Sequence, residues 1–68
     1  MGSVYKIIEI VGTSESSWED AAKNALDTAA KTIQDIRVAE VNKLDIKIST
    51  DGKIFYRARL NVSFKYRT

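Results

Sequence analysis

The sequence predicts an α+β fold of order β-α-β-β: a three-stranded antiparallel sheet wrapped around one helix, with strand order 1-3-2. Three observations predict it. Ile54, Tyr56, Ala58, Leu60, Val62, Phe64 and Tyr66 alternate with Phe55, Arg57, Arg59, Asn61, Ser63 and Lys65. Period two over this length is a strand with one dry face and one polar, basic face. Upstream, Trp18, Ala21, Ala22, Ala25, Leu26, Ala29 and Ile33 recur at spacings of three and four, the mark of an amphipathic helix. Asp51-Gly52 sits between two strand-like runs, and this pair favours a tight primed hairpin turn.

Each element has its own signature. Val4–Val11 reads as the first strand, with apolar residues on both phases: Val4, Ile8 and Ile10 on one, Tyr5, Ile7 and Val11 on the other. One face meets the domain's core, and the second is apolar enough to suggest a subunit interface. The polar run Gly12–Ser17 ends this strand and opens the helix, Ser17–Gln34. Ser16 with Glu19, or Ser17 with Asp20, fits a capping box. An anion cradle at Gly-Thr-Ser would need more glycines and a Lys at fixed spacing. Trp18 falls in the first helical turn at a core-facing phase, where it would lid one end of the core or, as the alternative, stack on a ligand. Asp35–Ser49 is the second strand, and its apolar residues change phase midway. Such a strand is bulged, or it passes from its own core to a neighbour's. The third strand then lies between the other two, with the helix on its even-numbered face.

Residues 1–68 are long enough for one domain. A domain this small buries only roughly 60% of its unfolded chain's surface, so it usually needs a staple. With no Cys and no His, disulfides, thiolates and imidazole ligands are excluded, and self-association is the staple expected. The net charge of +2 is mild for a dedicated nucleic-acid binder. No apolar run approaches the roughly 20 residues of a membrane span. The chain is therefore expected to be cytoplasmic, without a membrane or nucleic-acid partner.

Lys53, Phe55, Arg57, Arg59, Lys65 and Arg67 share the odd face of the third strand. Basic side chains beside an aromatic suit phosphate-bearing aromatic ligands such as nucleotides, flavin mononucleotide or RNA. The plainer reading is a solvated face, or ion pairs with a neighbouring subunit. For RNA, only Phe55 offers a stacking ring on this face. The carboxylates are scattered, with no spacing that forces an acid–base pair or an EF-hand loop. Without His there is no conventional activated nucleophile, so an enzyme is not expected.

The run Val4-Tyr5-Lys6-Ile7-Ile8-Glu9-Ile10-Val11-Gly12-Thr13-Ser14 resembles the dodecins. So do Ser17-Trp18-Glu19-Asp20-Ala21, Ala30-Lys31-Thr32-Ile33, Ala39-Glu40-Val41 and Leu60-Asn61-Val62-Ser63-Phe64-Lys65. The resemblance runs nearly end to end. It implies a β-α-β-β fold, a hollow homododecamer and small-ligand storage. Flavin-binding members stack flavins on a Trp of the second strand, and that position corresponds here to Val38. A Gln that hydrogen-bonds the flavin corresponds to Arg57, and an Arg that meets phosphate corresponds to Asp45, a reversed charge. A further basic position corresponds to Lys65, which keeps its sign. An aliphatic side chain offers no π-face, so flavin binding is expected to be weak or lost. The segments around Trp18 and Val38 resemble a subgroup without the stacking Trp, described as calcium-binding. The resemblance assigns no metal ligands. The alternatives are a flavin buffer with a modified pocket, a calcium-binding shell, and an RNA-binding sheet face.

Overall fold

The computed structural model describes residues 2–66. Its elements follow the predicted order: β1 (Tyr5–Ser14), α1 (Trp18–Ala29), β2 (Ile36–Ile48) and β3 (Ile54–Lys65). The sheet order is β1-β3-β2, with both pairs antiparallel.

The core forms where the small residues of α1 meet the even face of β3. Ala21, Ala25, Ala58, Leu60 and Val62 are buried, and Ile8, Ile10, Leu26, Ile36 and Ala39 pack against them. Leu60 and Val62 are the largest fully buried side chains, each contributing about 1.5–3 kcal/mol of apolar burial. The helix lies close to β1 because Gly12 has no side chain. A Cβ there would collide with the Ala21 carbonyl oxygen and fall 2.8 Å from the Ala25 Cβ.

Two boundaries differ from the sequence reading. β1 runs on through Gly12, Thr13 and Ser14, pairing Ser14 with Tyr56, so the expected polar linker is largely strand. Of the two capping registers, Ser17 is the N-cap and accepts from the Asp20 N–H at 3.0 Å. The reciprocal half is rewired: Asp20 accepts from the hydroxyl of Ser14 at 2.7 Å. The Ser14 oxygen in turn accepts from the Ser16 N–H at 2.9 Å. The helix ends at Ala29, five residues before Gln34, and tightens through bonds such as Lys31 N–H to the Thr28 carbonyl. Asp35 then turns the chain with φ 61°, a conformation that Asp tolerates better than most residues.

The β2–β3 turn is one residue longer than the primed turn expected. Ser49 donates its N–H to the Lys53 carbonyl at 2.9 Å, leaving Thr50, Asp51 and Gly52 as the loop. Gly52 takes φ 86°, the left-handed position that closes a three-residue hairpin loop. The Asp51 carboxylate accepts from the Ser49 hydroxyl and from the Lys53 N–H.

The phase change in β2 is a pair of bulges. The register shifts between Ile36 and Val38 and again between Val41 and Lys43. Arg37 and Asn42 are the extra residues. Their effect is to keep Ile36, Ala39, Val41, Leu44 and Ile46 on one side, opposite Phe64, Val62, Leu60, Ala58 and Tyr56. That side is the helix side. A helix of 12 residues is only about 18 Å long, whereas β3 extends over 12 residues at about 3.4 Å each. The β2–β3 ribbon therefore overhangs the helix, and the protein is elongated, 53 × 21 × 17 Å. Val41, Leu44, Ile46 and Ile48 remain exposed on the overhang, Ile48 to 72%.

Candidate functional site

The face of the sheet turned away from the helix is built in rows that the strand register fixes. Ile7, Ser63 and Val38 align in one row; Glu9, Asn61 and Glu40 in the next. Val11, Arg59 and Lys43 follow, then Thr13, Arg57 and Asp45. Tyr5 pairs with Lys65 at one end, and Lys47 with Phe55 at the other. The apolar second phase of β1 belongs to this face: Tyr5, Ile7 and Val11 are all exposed, Ile7 to 64%.

The four candidate positions fall into two pairs. Val38 and Lys65 occupy adjacent rows at one end, and Val38 is 59% exposed. Its carbonyl accepts from the Ser63 hydroxyl at 3.3 Å. Asp45 and Arg57 stand opposite each other six β3 residues away, a separation of about 20 Å. One protomer does not bring all four together. Arg67, also expected on this face, lies outside the described residues.

Asp45 and Arg57 form a two-pronged ion pair. Nε of Arg57 donates to Oδ1 of Asp45 and an Nη of Arg57 to Oδ2, both at 2.7 Å. This fork-to-carboxylate geometry is the strongest form of side-chain hydrogen bond. Both side chains are 37% exposed, so solvent screens the pair. The Arg57 hydrogen bonds hold the Asp45 carboxyl below its usual range, with the charges of Arg57, Arg59 and Lys43 adding to the effect. The Asp45 carboxylate and the Arg57 guanidinium thus satisfy each other.

Trp18 is a lid, as its phase predicts. Its ring meets Tyr56 edge-on with centroids 5.1 Å apart. Its Nε1 donates to the Asp45 carbonyl at 3.0 Å, so helix, β3 and β2 converge on the strand segment that carries the ion pair. A groove of about 340 Å³ opens beside it, lined by Trp18, Glu19, Ala22, Val41 and Leu44. A larger groove of about 610 Å³ runs between α1 and β1, past Ile8, Ile10, Thr28 and Ile33. At its rim Asn24 donates to the Thr13 carbonyl at 3.0 Å.

No group of three Asp, Glu, His or Cys that could hold a metal occurs among the described residues. The nearest approach to an oxygen-rich row is Glu9–Asn61–Glu40, two carboxylates with an amide between them. The sequence reading left these acids scattered. Strand pairing aligns them, and the bulge at Asn42 conceals that alignment from simple counting.

Fold and face define a small α+β class: one helix on a three-stranded sheet that outreaches it, with apolar surface left open on both sides. The Dodecin family model matches residues 4–67. The calcium dodecin of Mycobacterium tuberculosis is 52% identical over 65 residues, covering 96% of this chain and 92% of that protein. The dodecin of Thermus thermophilus is 40% identical over 65 residues, covering 96% and 94%. A crystal structure of the M. tuberculosis protein superposes with a TM-score of 0.87, covering 96% of this chain and 93% of that one. That protein is described as a calcium-chelating immunodominant antigen with a novel calcium-binding site. The chain belongs to the dodecin family, and its likeness is to the calcium type. No helix among the described residues is long and apolar enough to cross a membrane.

Proposed function

We propose that residues 1–68 form a single dodecin-like domain that assembles into a hollow homododecamer in the cytoplasm. The shell binds or stores a small ligand, is not an enzyme, and binds flavin weakly or not at all. The observation that carries this reading is the Asp45–Arg57 pair together with Val38. The position expected to stack a flavin ring is aliphatic. The position expected to meet phosphate is a carboxylate already committed to Arg57. These residues do not fit a stacked flavin. Assembly is supported by the exposed apolar strip Val41, Leu44, Ile46 and Ile48, by Tyr5, Ile7 and Val11 on the other face, and by the open grooves along the helix. The separation of Val38 and Lys65 from Asp45 and Arg57 also means that any pocket using all four needs more than one subunit.

Native mass spectrometry, before and after incubation with flavin mononucleotide, tests the reading. Twelve subunits without retained flavin are expected. Twelve subunits carrying flavin would overturn the loss of flavin binding, and a monomer or dimer would overturn the shell.

A second reading, a calcium-binding shell, draws on the calcium dodecin relative and on the Glu9–Asn61–Glu40 row. Hard cations take carboxylate and amide oxygens, and Ca²⁺ wants six to eight, so one row supplies only part of a site. Neighbouring subunits would complete it. Calorimetric titration with calcium should show binding that Glu40→Gln weakens; equal binding by that variant would remove this row from the site.

A further inference from the structure

Asp51-Gly52 is the one place in the sequence where an Asp or Asn precedes a glycine. Such a pair is chemically fragile. The glycine nitrogen attacks the aspartyl side-chain carbon, and the new N–C bond closes a succinimide ring. A carboxyl oxygen leaves as water, taking the amide proton and the carboxyl proton. Water then reopens the ring at either carbonyl. Opening at the main-chain carbonyl leaves an isoaspartyl link, one backbone atom longer, with no net change of mass or oxidation state. Burial does not protect this pair. Both residues are exposed, and the space where a Gly52 side chain would stand is open. Hydrogen bonds hold the two reacting groups instead. The Asp51 carboxylate accepts from the Ser49 hydroxyl and from the Lys53 N–H. The Gly52 N–H, which carries the nucleophile, donates to the Ser49 carbonyl at 3.0 Å.

We propose that Ser49 blocks isoaspartate formation at Asp51-Gly52, its hydroxyl anchoring the electrophile and its carbonyl the nucleophile. Attack requires the Asp51 carboxyl carbon to swing onto the Gly52 nitrogen. It also requires that nitrogen to give up its hydrogen. Each move breaks a bond to Ser49. Charge acts in the same direction. A neutral carboxyl can lose its oxygen as water, whereas an ionised one is a poor electrophile. The Ser49 hydroxyl and the Lys53 N–H hold Asp51 ionised, below the usual carboxylate range. The anchor is itself fixed, because the Ser49 N–H donates to the Lys53 carbonyl at 2.9 Å. This bond closes the β2–β3 ladder just beyond the Ile48–Ile54 pair. An isoaspartyl link would lengthen the loop and misplace the carboxylate that accepts from Lys53. Ser49 therefore protects, by chemistry, the turn from which the register of β2 on β3 is set.

The test ages the full chain at physiological temperature and mildly acidic pH. Isoaspartate is read in the tryptic peptide Ile48–Lys53 by electron-transfer fragmentation, which distinguishes the two linkages. The same chain unfolded in guanidinium gives the unprotected rate. Circular dichroism and native mass spectrometry confirm that each variant keeps the fold and subunit number. Native wild type should isomerise well below the unfolded rate. Ser49→Ala should isomerise about tenfold faster than wild type, the factor expected for losing one hydrogen bond to a charged group. Ser49→Thr keeps a hydroxyl and should stay at the wild-type rate. Thr50→Ala should too, since the Thr50 side chain takes part in none of these bonds. Equal rates for wild type and Ser49→Ala would overturn the proposal, as would a native rate equal to the unfolded one. So would a Thr50→Ala or Ser49→Thr rate as high as that of Ser49→Ala, because general loosening of the loop would then suffice. If Ser49→Ala disturbs assembly, Ser49→Cys, a weaker donor of similar shape, takes its place with the same outcomes.

Discussion

The indole nitrogen of Trp18 donates to the main-chain carbonyl of Asp45 across 3.0 Å, joining the first turn of the helix to the middle of β2. The helix otherwise packs mainly on β1 and β3, so this bond is a principal tie between α1 and the overhanging ribbon. Trp18→Phe keeps an aromatic ring near Tyr56 but removes the donor together with part of the indole's contact area. It should lower stability by about 0.5–1.5 kcal/mol, and Trp18→Ala by about 3 kcal/mol or more. Urea unfolding at fixed protein concentration measures both.

Gly12 is where helix and strand come closest. Gly12→Ala places a methyl group against the Ala21 carbonyl and the Ala25 side chain, neither of which can rotate away. Overpacking of this kind costs about 1–3 kcal/mol and sometimes more. The thermal midpoint should fall by several degrees, if soluble protein is obtained at all. An unchanged midpoint would mean that α1 can shift off β1 freely.

Among the described residues, Ser14 is the one buried polar residue. It links the Asp20 carboxylate to the Ser16 N–H. Ser14→Ala strips both partners, and a cost of about 1–2 kcal/mol is expected. Ser16→Ala should cost much less, because Ser17 is the N-cap. Comparing the two variants by chemical denaturation separates the roles.

The Asp45 carboxyl is held below its ordinary range by Arg57. A depressed carboxylate contributes stability above its unfolded-state pKa, about 3.9, and loses it as the pH falls through the lower folded-state value. The ion pair should therefore be intact at neutral pH and weaken only in acid below about pH 4. Asp45→Asn should flatten the stability profile in that window and leave its shape near neutrality unchanged. Asp51 is depressed for a different reason, the Ser49 hydroxyl and the Lys53 N–H, so part of the acid slope should persist in Asp45→Asn.

Val38→Trp introduces an aromatic ring at an exposed site. Riboflavin, which carries no phosphate, is the probe, so Asp45 does not interfere directly. Stacking is worth about 0.5–1.5 kcal/mol, and a roughly twofold to tenfold gain in affinity is expected by fluorescence quenching. No gain would show that the surrounding pocket differs as well.

The order of elements, the helix-facing phase of β3 and a helix cap at Ser16 or Ser17 were legible in the sequence, because each follows from local periodicity or a local hydrogen bond; the structure chose Ser17. The Asp45–Arg57 contact was not legible: counting back from the expected two-residue turn at Asp51-Gly52 sets Asp45 opposite Ala58, and only the three-residue loop of Thr50, Asp51 and Gly52 brings it opposite Arg57. Counted from the observed loop, the register is off by one residue beyond Asn42 and by two beyond Arg37. That is why Glu40 opposite Asn61 was missed.

The sequence by itself determined what kind of surface each strand offers, because side-chain polarity and a period of two are properties of the chain. The tertiary structure alone decided which surfaces meet. Two bulges set the register of β2, Gly12 set the helix close to β1, and the short helix left the ribbon uncovered. The pairing of Asp45 with Arg57, and their distance from Val38 and Lys65, are consequences of that geometry. Contacts between strands depend on every residue inserted between them, and an inserted residue leaves no mark on local periodicity except a change of phase.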